Sequence, residues 1–412
     1  MPIADLSDWL SEQAQGSRVW YLKRLSGNDT LATQAHQAGP YVPKDLLFEI
    51  FPMIENRERL NPDVYFDAYI DSHADHKQVR AIWYNNRVLQ QGTRNEARIT
   101  NWGGSASALL DPESTGALAV FSFERSTGNT PRALHVWVCN HAIEEDLIEE
   151  RLGPVDPGTH VIWRPTGATT LALFHHAATG PLPCRLTPAD MPPGWLTAFP
   201  SGLEIVRKAV ERRPLAGIRS DMRLVQRRNC EFEIFLSVED AIERPRIAKG
   251  FAGVDEFVAH AQSVLQRRKS RSGRSLELQT REIFLEEGLI EGTTFSHQPE
   301  SDPGKKPDFL FPSEGAYKDP NFSSAHLRLL AAKTTCKDRW RQVINEADRI
   351  AVKHLLTLQE GVSETQFAEM KAANIRLVIP SPLIDKFPDS IQSELITLED
   401  FITSVRHLNV VS

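Results

Sequence analysis

The sequence predicts a two-domain protein. A β-rich, barrel-like N-terminal domain spans residues 1–178, a proline-rich linker spans 179–195, and an α/β C-terminal domain built on a central sheet spans 196–412. Three observations carry this division. At 412 residues the chain exceeds what one ordinary hydrophobic core supports. The first part is a series of short aromatic and β-branched runs separated by Gly, Pro, Asn and Asp, whereas helical periodicity dominates the second. Between them "TGPLPCRLTPADMPPGW", Thr179 to Trp195, holds five prolines, which deny the segment helix and ladder hydrogen bonds.

In chain order, "MPIADLSDWLSEQ" predicts a short amphipathic, acidic helix rather than a signal peptide. Strands are predicted at "SRVWYLKRL", "VYFDAYI", "VRAIWYNN", "ALAVFSFER", "ALHVWVCNH", "HVIWRP" and "TLALFHH", with a helix near "PKDLLFEIF". Beyond the linker, helices are predicted over Ser201 to Arg212, Val254 to Arg267 and Ser275 to Glu287. Strands follow at "PDFLFP", "LRLLAAKTT", "KHLLTLQ" and "IRLVIPSP". A helix from about Asp338 would bury Trp340, Val343, Ile344, Ala347 and Ile350, leaving Arg339, Gln342 and Glu346 on its flank.

Composition, 41% hydrophobic and 25% charged, is that of a soluble globular protein. No apolar run reaches the roughly 18 residues a membrane helix needs, so a cytoplasmic protein without a membrane partner is expected. Cys139, Cys184, Cys230 and Cys336 are far apart with no CxxC spacing, which predicts free thiols rather than disulfides or zinc. A net charge of −7 argues against nucleic acid, but phosphate binding depends on local patches. Three basic stretches lie in the second half: around Arg227 and Arg228, from Gln266 to Arg274, and from Lys337 to Arg341. Each read singly is as compatible with a solvated helix face.

Asp308 opens one predicted strand, Lys333 ends another 25 positions later, and Glu346 lies 13 positions beyond. Phosphodiester hydrolysis requires carboxylates that hold Mg²⁺ with part of its water shell, and a lysine that positions water and stabilises developing charge. Glu277, on the helix carrying "SLELQ", is a further acid that could face the site. The common nuclease signature places an acid two residues before the lysine, where this chain has Ala331.

Several stretches carry a resemblance: "KKPDFLFPSEGAY", "LAAKTTCKDRWRQVINEADRI", "HLLTLQEGVS", "RRKSRSGRSLEL", "KRLSGNDTLATQAHQAG" and "GTRNEARITNWG". From about residue 18 to 405 the chain resembles the EcoRII-type (type IIE) restriction endonucleases, in which the second carboxylate has moved to the helix after the strand. The resemblance implies an N-terminal DNA-binding pseudobarrel and a restriction-endonuclease-like catalytic domain of variant PD-(D/E)xK type. It implies catalytic roles for Glu277, Asp308, Lys333 and Glu346, with Tyr317 nearby and Mg²⁺ on Asp308 and Glu346. It further implies base reading by Lys337, Asp338 and Arg339 with Arg228 as an accessory contact. Those residue types suit a C·G-rich half-site, since Arg or Lys donates to guanine and Asp accepts from cytosine.

The implied effector site comprises Lys23, His36, Tyr41, Arg94, Glu96 and Arg98, three of which alternate in "GTRNEAR" and would share one strand face. The resemblance departs at Gly92 and Ala97, where the family pattern has lysines, lowering the expected phosphate affinity of that site. An activity follows by implication: type II cleavage of double-stranded DNA at CCWGG-like sites by a homodimer. A second target copy would act as allosteric effector relieving autoinhibition, with a cognate DNA methyltransferase as genetic partner. Two rivals remain open, a catalytically dead two-site DNA-binding regulator and a less specific repair nuclease of the same fold. Other features are read as structural: His175–His176 as solvated, "AIEEDLIEER" from Ala142 as an exposed acidic helix, and Cys336 as a core thiol.

Overall fold

The computed structural model describes residues 3–14, 17–33, 39–125, 132–164, 184–214 and 217–408. His36, the "TLALFHH" strand with His175–His176, and residues 179–183 of the linker lie outside the described residues. No helix among those described is long and apolar enough to cross a membrane.

The first half contains α1 (Ile3–Gln13), β1 (Arg18–Arg24), α2 (Lys44–Ile50), β2 (Asp63–Ile70), β3 (Asp75–Tyr84), α3 (Asn86–Leu89), β4 (Glu96–Thr100), β5 (Leu118–Glu124), β6 (Leu134–Val138), α4 (Ala142–Leu152) and β7 (His160–Trp163). Its strands form one sheet in the order β4-β3-β2-β6-β5-β1-β7, antiparallel except for the parallel β2–β6 pair. Both faces of this curved sheet are covered, and β1 shows how. Val19 and Tyr21 enter one core with Phe66, Val79 and Phe121, plugged by Leu46, Leu47 and Ile50 of α2. Trp20 and Leu22 point the other way, against Trp9 of α1 and Ile148 of α4.

The second half contains α5 (Gly202–Arg212), α6 (Ser220–Lys249), α7 (Val254–Glu286), β8 (Ser296–His297), β9 (Phe309–Phe311), α8 (Glu314–Lys318), β10 (Arg328–Lys333), α9 (Trp340–Val343), β11 (Lys353–Thr357), α10 (Glu364–Ala372), β12 (Ile375–Val378), α11 (Asp389–Gln392) and α12 (Leu398–Leu408). The sheet order is β12-β11-β10-β9-β8, parallel through β10–β11–β12 and antiparallel at β9 and β8. Along β10, Leu329 and Ala331 pack with Trp340, Val343 and Met370 on one face. Leu330 and Ala332 pack with Phe284 and Phe401 on the other.

Four local expectations need correction, and one long helix was not expected. The helices predicted as 254–267 and 275–287 are one continuous α7, which runs through Gly273 without a break. The 30-residue α6 has no clear apolar period, because its buried positions include Arg223, Arg227, Glu231, Glu239 and Glu243. The helix expected from Asp338 to Ile350 is a single turn, α9, followed by an irregular segment with Ala347 at φ 48°, a left-handed conformation that ends a helix. Cys184 and Cys230 form a disulfide, whereas Cys139 and Cys336 are free and buried. Distance in sequence is no bar to pairing once Leu186, Met191 and Trp195 fold against Ile234 and Phe235 of α6. The acidic helix α4 is not wholly exposed: Glu145 and Glu149 are buried on the guanidinium of Arg24, at 2.7 and 2.8 Å.

Candidate functional site

Strand register brings the candidate catalytic residues together. The antiparallel β9–β10 pair matches Phe309 to Leu330 and Leu310 to Leu329, and continuing it places Asp308 opposite Ala331. Asp308 and Lys333 therefore share a face as diagonal neighbours. Asp308 Oδ2 accepts from the Ala332 amide at 2.7 Å and lies 3.3 Å from Lys333 Nζ. That face is also where the segment after β10 packs back, through Cys336, Trp340, Val343 and Ala347. Glu346, between buried Val343 and Ala347, is thereby brought near enough for the charges of Asp308 and Lys333 to act on it. It arrives from an irregular turn, not from the helix flank that periodicity indicated.

Burial pushes the Glu346 carboxyl up to about 7, with the charge of Asp308 adding to the rise and that of Lys333 opposing it. Asp308 is also raised, chiefly by burial, against the pull of Lys333 and the Ala332 amide. Glu346 Oε2 is buried and without a hydrogen-bond partner. Two desolvated acids, one with an uncommitted oxygen, are a donor set that suits a hard divalent cation. Among the described residues no group of three or more His, Cys, Asp or Glu could hold a metal ion. Two carboxylates fit Mg²⁺, which keeps several of its own waters, better than they fit zinc.

Glu277 lies in α7 close enough for its charge to raise Asp308. It is buried, and it accepts from His297 and, at 2.7 Å, from Gln298. These two side chains, in "FSHQPE", orient Glu277 but carry no motif and were missed in the sequence. Tyr317 is buried in the core beside this face, and its hydroxyl donates to Asp302 at 3.0 Å and accepts from the Arg349 amide.

The candidate base readers sit directly after β10, and N-terminal-domain atoms meet two of them. Lys337 Nζ donates to the Cys139 carbonyl at 3.3 Å, and an Arg339 Nη lies 3.8 Å from Asp146 of α4. Gln359, also overlooked in the sequence, accepts from the amides of Cys336 and Lys337 and fixes the loop that carries them. Asp338 is half-buried beside them. Arg228 is buried on Asp156 at 2.8 Å and on Glu231.

Two of the three basic stretches are not free phosphate patches here. Arg227 is fully buried, bonded to Glu286 and to the carbonyls of Arg213 and Pro214. Arg267, Arg268 and Arg271 are engaged by Glu243, Glu239 and Glu231.

In the first half, Lys23, Tyr41 and Arg98 line a cavity of about 1080 Å³, to whose wall the second half contributes Glu360 and Lys386. Lys23 is bonded to Asp29 at 2.7 Å. Arg94, Glu96 and Arg98 share one edge as a ladder: Arg94 and Arg98 flank Glu96, and Arg94 stacks over Tyr84 at 3.7 Å. Ala97 faces the hydrophobic core, so a lysine missing there takes no charge from this edge. At Gly92 a side chain would strike Asn86, whose amide carbon lies 2.5 Å from where a Cβ would stand.

The second half is a restriction-endonuclease-like domain, and the sheet-rich first half is a pseudobarrel appended to it. The family model for the EcoRII N-terminal domain matches residues 14–167 and that for the EcoRII C-terminal domain matches residues 235–402. The chain is 43% identical over 407 residues to the type II restriction enzyme EcoRII of Escherichia coli, covering 97% of each chain. It belongs to the EcoRII family of type II restriction endonucleases, which are site-specific deoxyribonucleases. A second relative, the type II restriction enzyme SsoII of Shigella sonnei, is 25% identical over 214 residues, 46% of this chain and 69% of the relative. Among solved structures, metal-depleted Ecl18kI with uncleaved, modified DNA matches with a TM-score of 0.41 at 20% identity, over 54% of this chain and 85% of that one. The UbaLAI restriction endonuclease B3 domain with cognate DNA matches with a TM-score of 0.26 at 20% identity, over 38% of this chain and 98% of that one.

Proposed function

We propose that this enzyme hydrolyses phosphodiesters of double-stranded DNA at CCWGG-like sites with Mg²⁺, as a cytoplasmic homodimer paired genetically with a cognate methyltransferase. The observation that carries the catalytic reading is the meeting of Asp308, Lys333 and the unpartnered Glu346 on one face of the sheet. In the reaction, water adds to phosphorus, one P–O ester bond breaks, and the departing oxygen takes a proton. Mg²⁺ held by Asp308 and Glu346 would stabilise charge on the phosphate and favour hydroxide over water. Lys333, tethered to Asp308, is the group placed to donate to the attacking water or to a non-bridging oxygen. Glu277, oriented by His297 and Gln298, adds negative potential beside Asp308. Tyr317 has a supporting role, through Asp302 and Arg349, rather than a contact with the reacting atoms.

Lys337, Asp338 and Arg339 are the base readers in this reading, with Arg228 as accessory contact. Lys23, His36, Tyr41, Arg94, Glu96 and Arg98 form the site for a second, effector copy of the target. Control by that copy is supported by the domain contacts: Cys139, Asp146 and Asp156 of the first domain hold Lys337, Arg339 and Arg228. Arg228, buried on Asp156, becomes accessible to a duplex only when the first domain withdraws, and the same withdrawal frees Lys337 and Arg339 from their contacts with it. Effector DNA can drive that withdrawal only by binding the open form better than the closed one. The test is cleavage of one-site and two-site plasmids in Mg²⁺: two-site DNA should be cut faster, and equal rates would remove the allosteric part of the proposal.

A further inference from the structure

We propose that Arg228, Arg271 and Ser272 form a pocket for a phosphate of the target duplex, and that Asp156 of the first domain fills it as a carboxylate substitute until effector DNA arrives. The proposal rests on the two-site reading above and adds to it the atoms that hold the closed state. Asp156 lies in the turn between α4 and β7. Its Oδ2 accepts from Arg228 and Arg271, each at 2.8 Å, and its Oδ1 accepts from the Ser272 hydroxyl at 2.6 Å. Burial pushes this carboxyl up, but the two guanidinium groups outweigh burial and hold it below the usual carboxylate range.

Charge balance indicates what replaces it. The buried cluster holds two cations, Arg228 and Arg271, and two anions, Asp156 and Glu231. Glu231 belongs to the same domain as the arginines and remains with them. When the first domain leaves, one positive charge is uncompensated, and an anion with several acceptor oxygens restores the balance. A DNA phosphate has that form. The pocket is also placed for one: the Ser272 carbonyl accepts from Thr334, the residue after Lys333, and Arg271 lies on the helix that carries Glu277.

The other end of the same turn opens into the effector cavity. Thr159 bonds back to the Asp156 carbonyl through its amide and its hydroxyl, at 3.1 and 2.7 Å, so the turn moves as one piece. Gly158, Thr159 and His160 line the cavity that also holds Lys23, and His160 pairs with Lys23 across β7 and β1. Glu360 stands beside Gly158 in the cavity wall, and its own domain gains like-charge repulsion from an incoming phosphate backbone. Duplex entering the cavity therefore pushes on the turn that holds the latch.

The test uses the full-length protein, Mg²⁺, a one-site plasmid and a short duplex bearing the target as effector. Wild-type protein should cut slowly alone and faster with the duplex; a wild type that ignores the duplex overturns the two-site reading and the latch together. Asp156→Asn should raise the rate without duplex about tenfold, the loss of roughly one charge-assisted hydrogen bond, and leave little further stimulation. If wild type responds but Asp156→Asn stays slow and fully responsive, the latch alone is overturned. Arg271→Ala loses the latch too, yet should cut no faster, and the slope of log affinity against log salt should fall by about one. An unchanged slope overturns the phosphate pocket. Should Asp156→Asn fail to fold, Ser272→Ala carries the test: it should lower the duplex concentration for half-maximal stimulation about threefold, on loss of a single hydrogen bond, and no change overturns the latch.

Discussion

Replacing Glu346 with glutamine separates the stability cost of the acid pair from its use. Glutamine keeps the shape of the protonated acid but removes the charge that burial disfavours. Well below pH 4.5 the acid is protonated in folded and unfolded chains alike, so wild type and variant should approach equal stability as pH falls to 4.5 and beyond. As pH rises the unfolded chain ionises first, and the folded chain loses relative stability until pH passes about 7. A rise from 4.5 to about 7 corresponds to at most about 3.4 kcal/mol at 1.36 per unit. Glu346 is only half-buried, so solvent screening brings the expected gain to about 1.5–2 kcal/mol. For a domain of this size that is about 3–8 °C in the melting temperature of the catalytic half. The assay is thermal unfolding of both proteins in EDTA at pH 4.5 and pH 8. The gain should appear only at pH 8, and saturating Mg²⁺ should then stabilise wild type but not the variant. A variant no more stable than wild type at pH 8 in EDTA would refute the reasoning.

Three further outcomes are expected. Asp308→Ala or Lys333→Ala should each lower cleavage more than about a hundredfold while gel-shift binding to target DNA persists; retained turnover would exclude either residue from the chemistry. Arg339→Ala should lose about 1–3 kcal/mol of preference for the target in competition binding, and full discrimination would remove it as a reader. Arg94→Ala should abolish stimulation by effector duplex while leaving the slow basal rate on one-site DNA, and undiminished stimulation would take Arg94 out of the effector site.

The strands other than β4 and the two-residue β8 were legible because each alternates or runs apolar between turn residues, and Asp308 and Lys333 stand at strand ends where periodicity located them. The route of Glu346 was not. The apolar stripe from Trp340 to Ile350 fits a helix, yet the helix ends at Val343 and Ala347 is left-handed, and packing of Trp340, Val343 and Ala347 against β10 brings the acid near Asp308 and Lys333. The charged interior was hidden for a related reason. In α6 many buried positions hold arginines and glutamates that are satisfied by charged partners on α7, so no clear hydrophobic period marks that helix. Helix α4 misled in the same way, since Glu145 and Glu149 look solvated until Arg24, more than a hundred positions earlier, is brought beneath them. Pair partners distant in sequence, such as Cys184 and Cys230, are visible only once the chain is folded.

The most direct measurement is incubation of the purified protein with Mg²⁺ and plasmid DNA, followed by sequencing of every end produced, with Asp308→Ala as control. A metal-dependent enzyme built around Asp308, Lys333 and Glu346 should yield discrete fragments whose ends share one CCWGG-like sequence, none of them with EDTA or the control. Intact plasmid, ends scattered without a common sequence, or equal cutting by Asp308→Ala would contradict it.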